Sequence, residues 1–215
     1  MHSSFENRRA AGCELATRLD RYAHKNDVSV LALPRGGVPV AFEVARALGA
    51  VLDVLVVRKL GAPLEPELAM GAIASGDAFY LDERIVDYAG VSRRALEEVI
   101  ARERIELERR ERLYRGDKPP LDVDGRIAII VDDGMATGAT MKVACMSLRN
   151  ARPSRIVAAV PVAPLESEAR VEAIVDEFVC VLRPRHYFGV GQFYADFEQT
   201  SDDEVRDLLD QALKP

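Results

Sequence analysis

A short apolar run that stops at two carboxylates most limits what this chain can fold into. Residues 127–131 are apolar and mostly β-branched, which is typical of a central parallel strand with helices on both faces. Asp132 and Asp133 follow at once, and a loop of Gly and Thr then leads into a helix-compatible segment at residues 141–150. Backbone N–H groups and a helix N-terminus converge at such a turn, so the stretch predicts an anion site.

The acid pair indicates what lies beside the anion. Two adjacent carboxylates repel a phosphate, so Asp132 and Asp133 are better suited to hydroxyl groups or a cation next to it. A sugar phosphate carries both an anion and hydroxyls. The structural alternative is a strand–turn–helix with an acidic turn and a Thr cap, but a tight loop of two Gly and two Thr beside an acid pair has little purely structural purpose.

Residues 131–140, Val-Asp-Asp-Gly-Met-Ala-Thr-Gly-Ala-Thr, resemble the diphosphosugar-binding signature of the type I phosphoribosyltransferases. The resemblance implies that Asp132 and Asp133 hold the ribose hydroxyls. It also implies that amides and hydroxyls of the loop hold the 5-phosphate. The loop residues concerned are Gly134, Met135, Ala136, Thr137, Gly138, Ala139 and Thr140.

A second loop places two glycines beside a cation. A buried strand at residues 28–33 runs into Pro34 and Arg35, and Gly36 and Gly37 follow. Adjacent glycines let backbone amides approach a ligand closely, and the arginine adds a fixed charge with several donors. Alone, this is an ordinary strand-to-helix turn; beside the acid signature it resembles the pyrophosphate loop of the same family. A non-proline cis peptide is common there, and the bond between Pro34 and Arg35 occupies that position.

Two cations follow the next predicted strand. Residues 51–57 predict a second apolar strand, and Arg58 and Lys59 stand at its carboxyl end. We expect them to face the same crevice as Arg35 and to bind the pyrophosphate with it. A solvated strand end is the alternative.

An insertion separates this strand from the acid signature. Residues 60–67 contain two prolines and a glycine and predict a loop, and residues 70–81 predict a hairpin with its turn at residues 75–77. The resemblance implies that a mobile loop of this region closes over the site and excludes water. Residues 92–115 predict a long helix with eight Arg and six Glu, whose interleaved charges favour a solvated face, with a dimer contact or partner surface as the alternative.

The order of elements predicts an α/β fold. Two further strands, at residues 155–162 and 177–182, flank a helix at residues 165–175, as in an open parallel sheet. The resemblance implies a three-layer, mostly parallel sheet in which the second strand lies on one side of the first and the strand before Asp132 on the other. The two loops then meet at the switch point. We expect a single domain, residues 1–215. Its core is expected at residues 28–182, and an insertion of loop, hairpin and long helix is expected within it at residues 61–120. A C-terminal hood with a last helix is expected at residues 183–215.

Aromatic residues concentrate in the tail of a chain that contains few of them. Tyr187, Phe188 and Tyr194 are candidates for a hood on which a planar acceptor stacks, although core packing is the usual role of such a cluster. Ser201 and Glu204 then form a capping box that opens a last helix.

Composition limits the partners and the compartment. With 35 acidic and 29 basic residues the net charge is −6, which argues against a chain that mainly coats nucleic acid or an anionic membrane. The cysteines, at 13, 145 and 180, form no CxxC pair, so we expect neither a disulfide framework nor a zinc site. Without an apolar signal region or a membrane-length apolar run, the chain predicts a soluble, cytoplasmic protein.

The resemblance implies a pentosyltransferase. A nitrogenous acceptor, for which a purine base is one candidate, would displace pyrophosphate from 5-phosphoribosyl-1-diphosphate, with Arg35, Lys59, Asp132 and Asp133 as catalytic residues. Mg²⁺ is the expected cofactor, held mainly by substrate oxygens, with the two aspartates as additional ligands. Family members acting on 6-oxopurines usually have an acid at the position of Ala136, which argues against hypoxanthine or guanine; Ala-Thr-Gly is similar to adenine-type members.

Two other functional classes stay open. A regulatory protein could keep the diphosphosugar site as a sensor and bind RNA or a protein partner without turnover, with the Arg-rich helix as its basic face. A hydrolase or scaffold is less favoured, because the chain has no Gly-x-Ser-x-Gly elbow and no HExxH pair.

Overall fold

The strands and helices are those of a computed structural model that describes residues 4–76, 78–119 and 122–213. Its strands are β1 (Val28–Ala32), β2 (Val51–Val54), β3 (Val57–Ala62), β4 (Glu65–Ala74), β5 (Ala78–Leu81), β6 (Ile127–Val131), β7 (Arg155–Val162) and β8 (Glu177–Leu182). Its α-helices are α1 (Arg8–Arg18), α2 (Gly37–Leu48), α3 (Glu83–Tyr88), α4 (Arg93–Arg115), α5 (Ala139–Arg149), α6 (Leu165–Glu172) and α7 (Asp202–Ala212). Short 3₁₀ turns occur at Asp20–Tyr22 and Val190–Phe193.

Parallel strands form the central sheet, in the order β2, β1, β6, β7, β8. β1 pairs with β6 so that Ala32 is level with Val131, and the two strands therefore end side by side. Because β2 lies on the other side of β1, the order reverses at this point, where open α/β sheets bind their ligands. The predicted order, with the strand before Asp132 next to the first strand, is confirmed.

Helices cover both faces of this sheet. Along β6, Ile129 and Val131 pack in one buried cluster with α1, α2 and α7, whereas Ala128 and Ile130 pack in another with α5 and α6. Every residue of β1 is buried, as a continuous apolar run predicts for a strand covered on both sides. The predicted three-layer α/β architecture is confirmed.

The predicted second strand, residues 51–57, is too long, because the chain changes sheets within it. β2 ends at Val54. The N–H of Leu55 still donates to β1, at 2.8 Å, but the N–H of Val56 donates to Oγ of Ser75 at 3.0 Å. From there the chain joins a second, antiparallel sheet in the order β3, β4, β5.

This change of sheet corrects two further predictions. Arg58 and Lys59 lie in β3 and not at the carboxyl end of β2. Residues 60–67 are not an open loop but the hairpin of β3 and β4. The hairpin accommodates Pro66 because the strand pairing is irregular around Gly61, and proline is tolerated where no ladder N–H is required. The hairpin predicted over residues 70–81 is confirmed and consists of β4 and β5, although its turn residue Asp77 lies outside the described residues.

Helix ends agree with their capping signals. The Ser92 side chain accepts from the first turn of α4, and the Ser201 side chain accepts from the N–H of Glu204 at 3.1 Å, which is the serine half of the predicted capping box. The first helix ends at Arg18, and a 3₁₀ turn follows at Asp20–Tyr22. Across the described parts of the chain, no helix has both the length and the apolar character that crossing a bilayer requires.

Candidate active site

The loops after β1 and β6 touch at the carboxyl edge of the sheet. The N–H of Leu33 donates to the carbonyl oxygen of Val131 at 2.9 Å. A Cβ on Gly37 would lie 2.7 Å from that same oxygen, and a Cβ on Gly36 would lie 2.1 Å from Oδ2 of Asp133. A side chain at Gly37 would therefore displace the backbone at the end of β6, and one at Gly36 would displace the Asp133 side chain. Two segments far apart in the sequence therefore meet at this edge of the sheet, as predicted.

Arg35 lies in the turn that opens α2. The peptide bond between Pro34 and Arg35 is cis, as the family resemblance implies. Gly36 caps α2 without a side-chain hydrogen bond, and the N–H groups of a first helical turn have no intrahelical acceptor. The Arg35 guanidinium is partly exposed and lies 3.9 Å from the carboxylate of Asp202 on α7. The N–H of Gly37 already donates to the carbonyl oxygen of Leu33 at 3.1 Å, so the turn presents the Arg35 cation without that amide.

Asp132 and Asp133 are half-buried beyond the end of β6. Oδ1 of Asp132 accepts from the N–H of Asp133 at 2.9 Å. Burial raises the pKa of Asp132 well above its usual range, and the charge of Asp133 adds to the rise. Burial also raises the pKa of Asp133, while a hydrogen bond from Arg8 opposes the rise. The fold therefore concentrates negative charge where a cation or hydroxyl donors would stabilise it.

Arg8, the first residue of α1, contacts the acid pair and was not among the site residues predicted from the sequence. Its Nε donates to Oδ2 of Asp133 at 2.8 Å, and its Nη1 donates to the carbonyl oxygen of Glu198 at 2.6 Å. The guanidinium also lies 3.9 Å from the centre of the Phe197 ring. One local signal could have found it: a cation in the first turn of a helix opposes the helix dipole, so its position invites a search for an anionic partner.

The loop after the acid pair leads into the N-terminus of α5. Gly138 caps the helix with a φ of 77°, which glycine adopts readily. Thr137 Oγ1 accepts from the N–H of Ala139 at 3.3 Å. The N–H of Met135 bonds to the carbonyl oxygen of Val162 at 2.9 Å and is not open to a ligand, contrary to the prediction for the whole loop. The exposed members of the loop are Ala136, Thr137, Ala139 and Thr140.

Arg58 and Lys59 stand apart from this cluster. Nε and Nη2 of Arg58 donate to Oε2 of Glu103 on α4, at 2.9 and 2.6 Å. Arg58 thus faces α4, not the crevice beside Arg35, because β3 belongs to the second sheet. Lys59 is exposed on the same strand. A role for the two cations in ligand binding stays a prediction.

The aromatic tail covers the acid loop, but its three candidates differ. Tyr194 is buried, and its hydroxyl donates to the carbonyl oxygen of Asp133 at 2.5 Å. Tyr187 stacks on Phe193, with 5.5 Å between ring centroids, and among the described residues its buried hydroxyl has no hydrogen-bond partner. Burial and the nearby acid pair raise the pKa of Tyr187 to about 12, so the hydroxyl stays protonated. Phe188 is 94% exposed.

Hood and loop fit closely at Gly134. A Cβ there would lie 2.5 Å from Cγ1 of Val190 and 3.0 Å from Cγ1 of Val162. Gly134 is therefore a packing position beneath the hood. Its glycine identity is explained by this contact alone.

The residues at the acid pair fit a hydrated divalent cation. In the described ranges no group of three or more His, Cys, Asp or Glu is placed to hold a metal ion. Asp132 and Asp133 supply two half-buried carboxylates, and Mg²⁺ commonly binds one or two carboxylates and takes its other ligands from water and substrate phosphates.

Similarity to known proteins agrees with this geometry. The family model for the phosphoribosyl transferase domain matches residues 4–198. Two curated proteins from two strains of Mycobacterium tuberculosis, provisionally named phosphoribosyl transferases, are each 49% identical over 208 residues, which is 97% of this chain and 47% of the relative. The chain thus spans about half the length of the curated relatives it matches.

Solved structures give the same result. The crystal structure of the protein TT1426 from Thermus thermophilus superposes with a TM-score of 0.87 at 41% identity, covering 96% of this chain and 97% of that one. A Neisseria gonorrhoeae protein solved with bound ppGpp shares the fold at 12% identity, with a TM-score of 0.51 and 98% of each chain covered. The chain belongs to the phosphoribosyl transferase domain family.

Proposed function

We propose that this domain transfers the 5-phosphoribosyl group of 5-phosphoribosyl-1-diphosphate to a nitrogenous acceptor and releases pyrophosphate. The supporting observation is the contact between the glycine loop and the acid pair, where Gly36 leaves no room for a Cβ beside Asp133. A ribose bound by the carboxylates would carry its 1-diphosphate at the amides of the glycine loop. Its 5-phosphate would reach the exposed turn at the start of α5.

In this proposal the protein works by position and charge. Departure of pyrophosphate leaves positive charge on the ribose ring, and Asp132 and Asp133 stabilise that charge while they orient the ring hydroxyls. Their half-buried setting reduces screening by water. Arg35 neutralises the leaving group. Thr137 and Thr140, with the first amides of α5, hold the 5-phosphate at a helix N-terminus.

Mg²⁺ is the proposed cofactor. Asp132 and Asp133 would hold it together with oxygens of the diphosphosugar, and its chemistry would be charge neutralisation on the pyrophosphate. The two carboxylates then serve both the metal and the ribose hydroxyls.

The acceptor is proposed to bind at the hood. Phe188 offers an exposed ring on which a planar base could stack, whereas Tyr194 is fixed by its bond to Asp133 and serves to fasten the hood. Ala136 provides no carboxylate for proton removal at the turn. An aminopurine such as adenine therefore fits better than a 6-oxopurine.

The test is release of pyrophosphate from 5-phosphoribosyl-1-diphosphate, with Mg²⁺, across a panel of nucleobases and small amines. Release that depends on one acceptor supports the transferase. Tight binding of the diphosphosugar without turnover by any acceptor would instead favour the sensor class. Release without any acceptor would favour hydrolysis, and failure to bind the diphosphosugar would contradict the proposal.

A further inference from the structure

Arg8 stands between the acid pair and the glycine loop. Its Nε lies 2.8 Å from Oδ2 of Asp133 and 3.3 Å from the position that a Cβ on Gly36 would occupy. The guanidinium therefore lies beside the loop to which the proposed function assigns the pyrophosphate. It is also a buried charge, with 12% of its side chain exposed.

Two of the contacts of Arg8 do not depend on Asp133. Nη1 donates to the carbonyl oxygen of Glu198 at 2.6 Å, and the guanidinium plane lies 3.9 Å from the centre of the Phe197 ring. A guanidinium has more N–H donors than these bonds use. The tail can thus keep Arg8 in place when Asp133 takes another partner.

The charge of Arg8 favours an anionic partner both in the free site and in the site with bound substrate. A buried cation without a partner is strongly unfavourable, and the position at the start of α1 adds the opposing helix dipole. If the ribose hydroxyls and Mg²⁺ occupy the oxygens of Asp133, Arg8 loses part of its compensation. The closest new anion would be the pyrophosphate on the loop at Gly36.

Two of the other candidate cations, Arg58 and Arg35, have partners of their own. Arg58 is held by two hydrogen bonds to Glu103 on α4. Arg35 belongs to the glycine loop itself and makes a longer contact, 3.9 Å, with Asp202. Arg8 therefore adds a cation from α1 beside a loop that already carries Arg35.

From these contacts, and on the basis of the proposed function, we propose that Arg8 is a second cation of the pyrophosphate site. Upon substrate binding its guanidinium exchanges Asp133 for the pyrophosphate while Glu198 and Phe197 hold it in place. The N-terminal helix thereby becomes part of the binding site.

The test compares three probes by calorimetry in the presence of Mg²⁺: 5-phosphoribosyl-1-diphosphate, inorganic pyrophosphate and ribose 5-phosphate. Arg8→Met should weaken binding of the first two about tenfold or more, because one charge-assisted contact is lost, and should leave ribose 5-phosphate within about twofold. Arg8→Lys keeps the charge and should restore part of the affinity. Arg9→Met is the matched control, since Arg9 is the next residue, is about half exposed and lies 3.9 Å from Glu43.

Three results would overturn the role of Arg8. The Arg8→Met variant could bind pyrophosphate as the wild type does, bind it more tightly, or lose all three probes equally, which would indicate a competing or purely structural side chain. Circular dichroism of Arg8→Met and Arg8→Lys checks that both variants fold. If the wild type binds neither diphosphate probe, the proposed function itself is contradicted. If the wild type binds them and Arg8→Met binds them equally well, only the role of Arg8 is contradicted.

Discussion

The ion pairs on α4 and the pair between Arg8 and Asp133 use the same chemical groups in different surroundings. On α4, Arg93 and Glu97 form a 3.1 Å pair four residues apart, with 92% and 64% of their side chains exposed. Arg8 and Asp133 are 125 residues apart, form a 2.8 Å bond, and expose only 12% and 14%. The first pair follows from helix periodicity. The second exists only because the fold brings α1 to the end of β6.

The difference determines what each pair can do. Water and salt screen an exposed pair, so it contributes little to stability or recognition. A half-buried pair is screened less, and removal of one partner leaves a charge that the protein must accommodate. We therefore assign the proposed functional role to the less exposed pair, whose two partners are far apart in the sequence.

The largest expected effect is the loss of diphosphosugar binding when both carboxylates are removed. Asp132→Asn with Asp133→Asn should weaken binding of 5-phosphoribosyl-1-diphosphate with Mg²⁺ about a hundredfold or more, because each carboxylate makes charge-assisted contacts. Calorimetry measures the change. Glu97→Gln on α4 removes an exposed carboxylate and should leave the affinity unaltered. Equal affinity of the double variant and the wild type would contradict the site.

The next effect concerns the contact that joins the two loops. Gly36→Ala places a Cβ 2.1 Å from Oδ2 of Asp133, and the shift this forces should lower the free energy of unfolding by about 1–3 kcal/mol. In an open site the same change would stabilise the chain, because alanine restricts the unfolded state. Urea titration decides between these outcomes.

A matched glycine sharpens that test. Gly189 has an extended backbone, and an added Cβ would meet no atom within 4 Å. Gly189→Ala should change the free energy of unfolding by less than about 0.5 kcal/mol. Similar losses in the two variants would mean that the contact at Gly36 is not tight.

The third effect is a pH dependence of opposite sign at two aspartates. Burial raises the pKa of Asp132, so its contribution is fully present below the unfolded pKa and is lost as pH rises through the folded pKa. A hydrogen bond from Arg149 lowers the pKa of Asp176, so its contribution is present above the unfolded pKa and is lost as pH falls through the folded pKa. Asp132→Asn and Asp176→Asn should each remove one of these slopes.

Urea titrations without Mg²⁺, from pH 3 upward through neutrality, measure both slopes. The free energy of unfolding of Asp132→Asn should gain on the wild type as pH rises above about 4, the unfolded pKa of aspartate. That of Asp176→Asn should fall relative to the wild type as pH rises from 3 to about 4, and the difference should stay constant above that pH. Parallel curves for all three proteins would show that neither environment differs from water.

A structural feature can be predicted from the sequence when neighbouring residues determine it, and it cannot when residues far apart in the sequence determine it. The bounds of β6, β7 and β8 follow from apolar runs and agree with the prediction. The end of β2 does not, because apolar residues continue through the change of sheet. That change depends on the bond from Val56 to Ser75, which no local pattern encodes.

The same rule separates the site residues. Gly36, Gly37, Asp132 and Asp133 could be predicted, because covalent neighbours carry each motif and parallel strands bring their ends together. For Arg8 the sequence offers only the local signal of a cation in the first turn of a helix; its partners, which lie on the acid loop and in the tail, could not be predicted. The bond from Tyr194 to Asp133 likewise spans 61 residues, and only the fold shows that the hood fastens the acid loop.

The smallest expected effect is at the surface of α4. Arg93→Met should lower the free energy of unfolding by no more than about 0.5 kcal/mol, because the pair with Glu97 is exposed. The difference from wild type should vanish in 1 M NaCl, where the Debye length is about 3 Å. The decrease in the free energy of unfolding of Arg8→Met should persist in 1 M NaCl, because water and salt screen the pair with Asp133 far less. Urea titration could instead show that the two variants are equally destabilised, or that salt restores the stability of both. Either result would mean that burial does not distinguish the two ion pairs, and it would contradict a stronger contribution of Arg8.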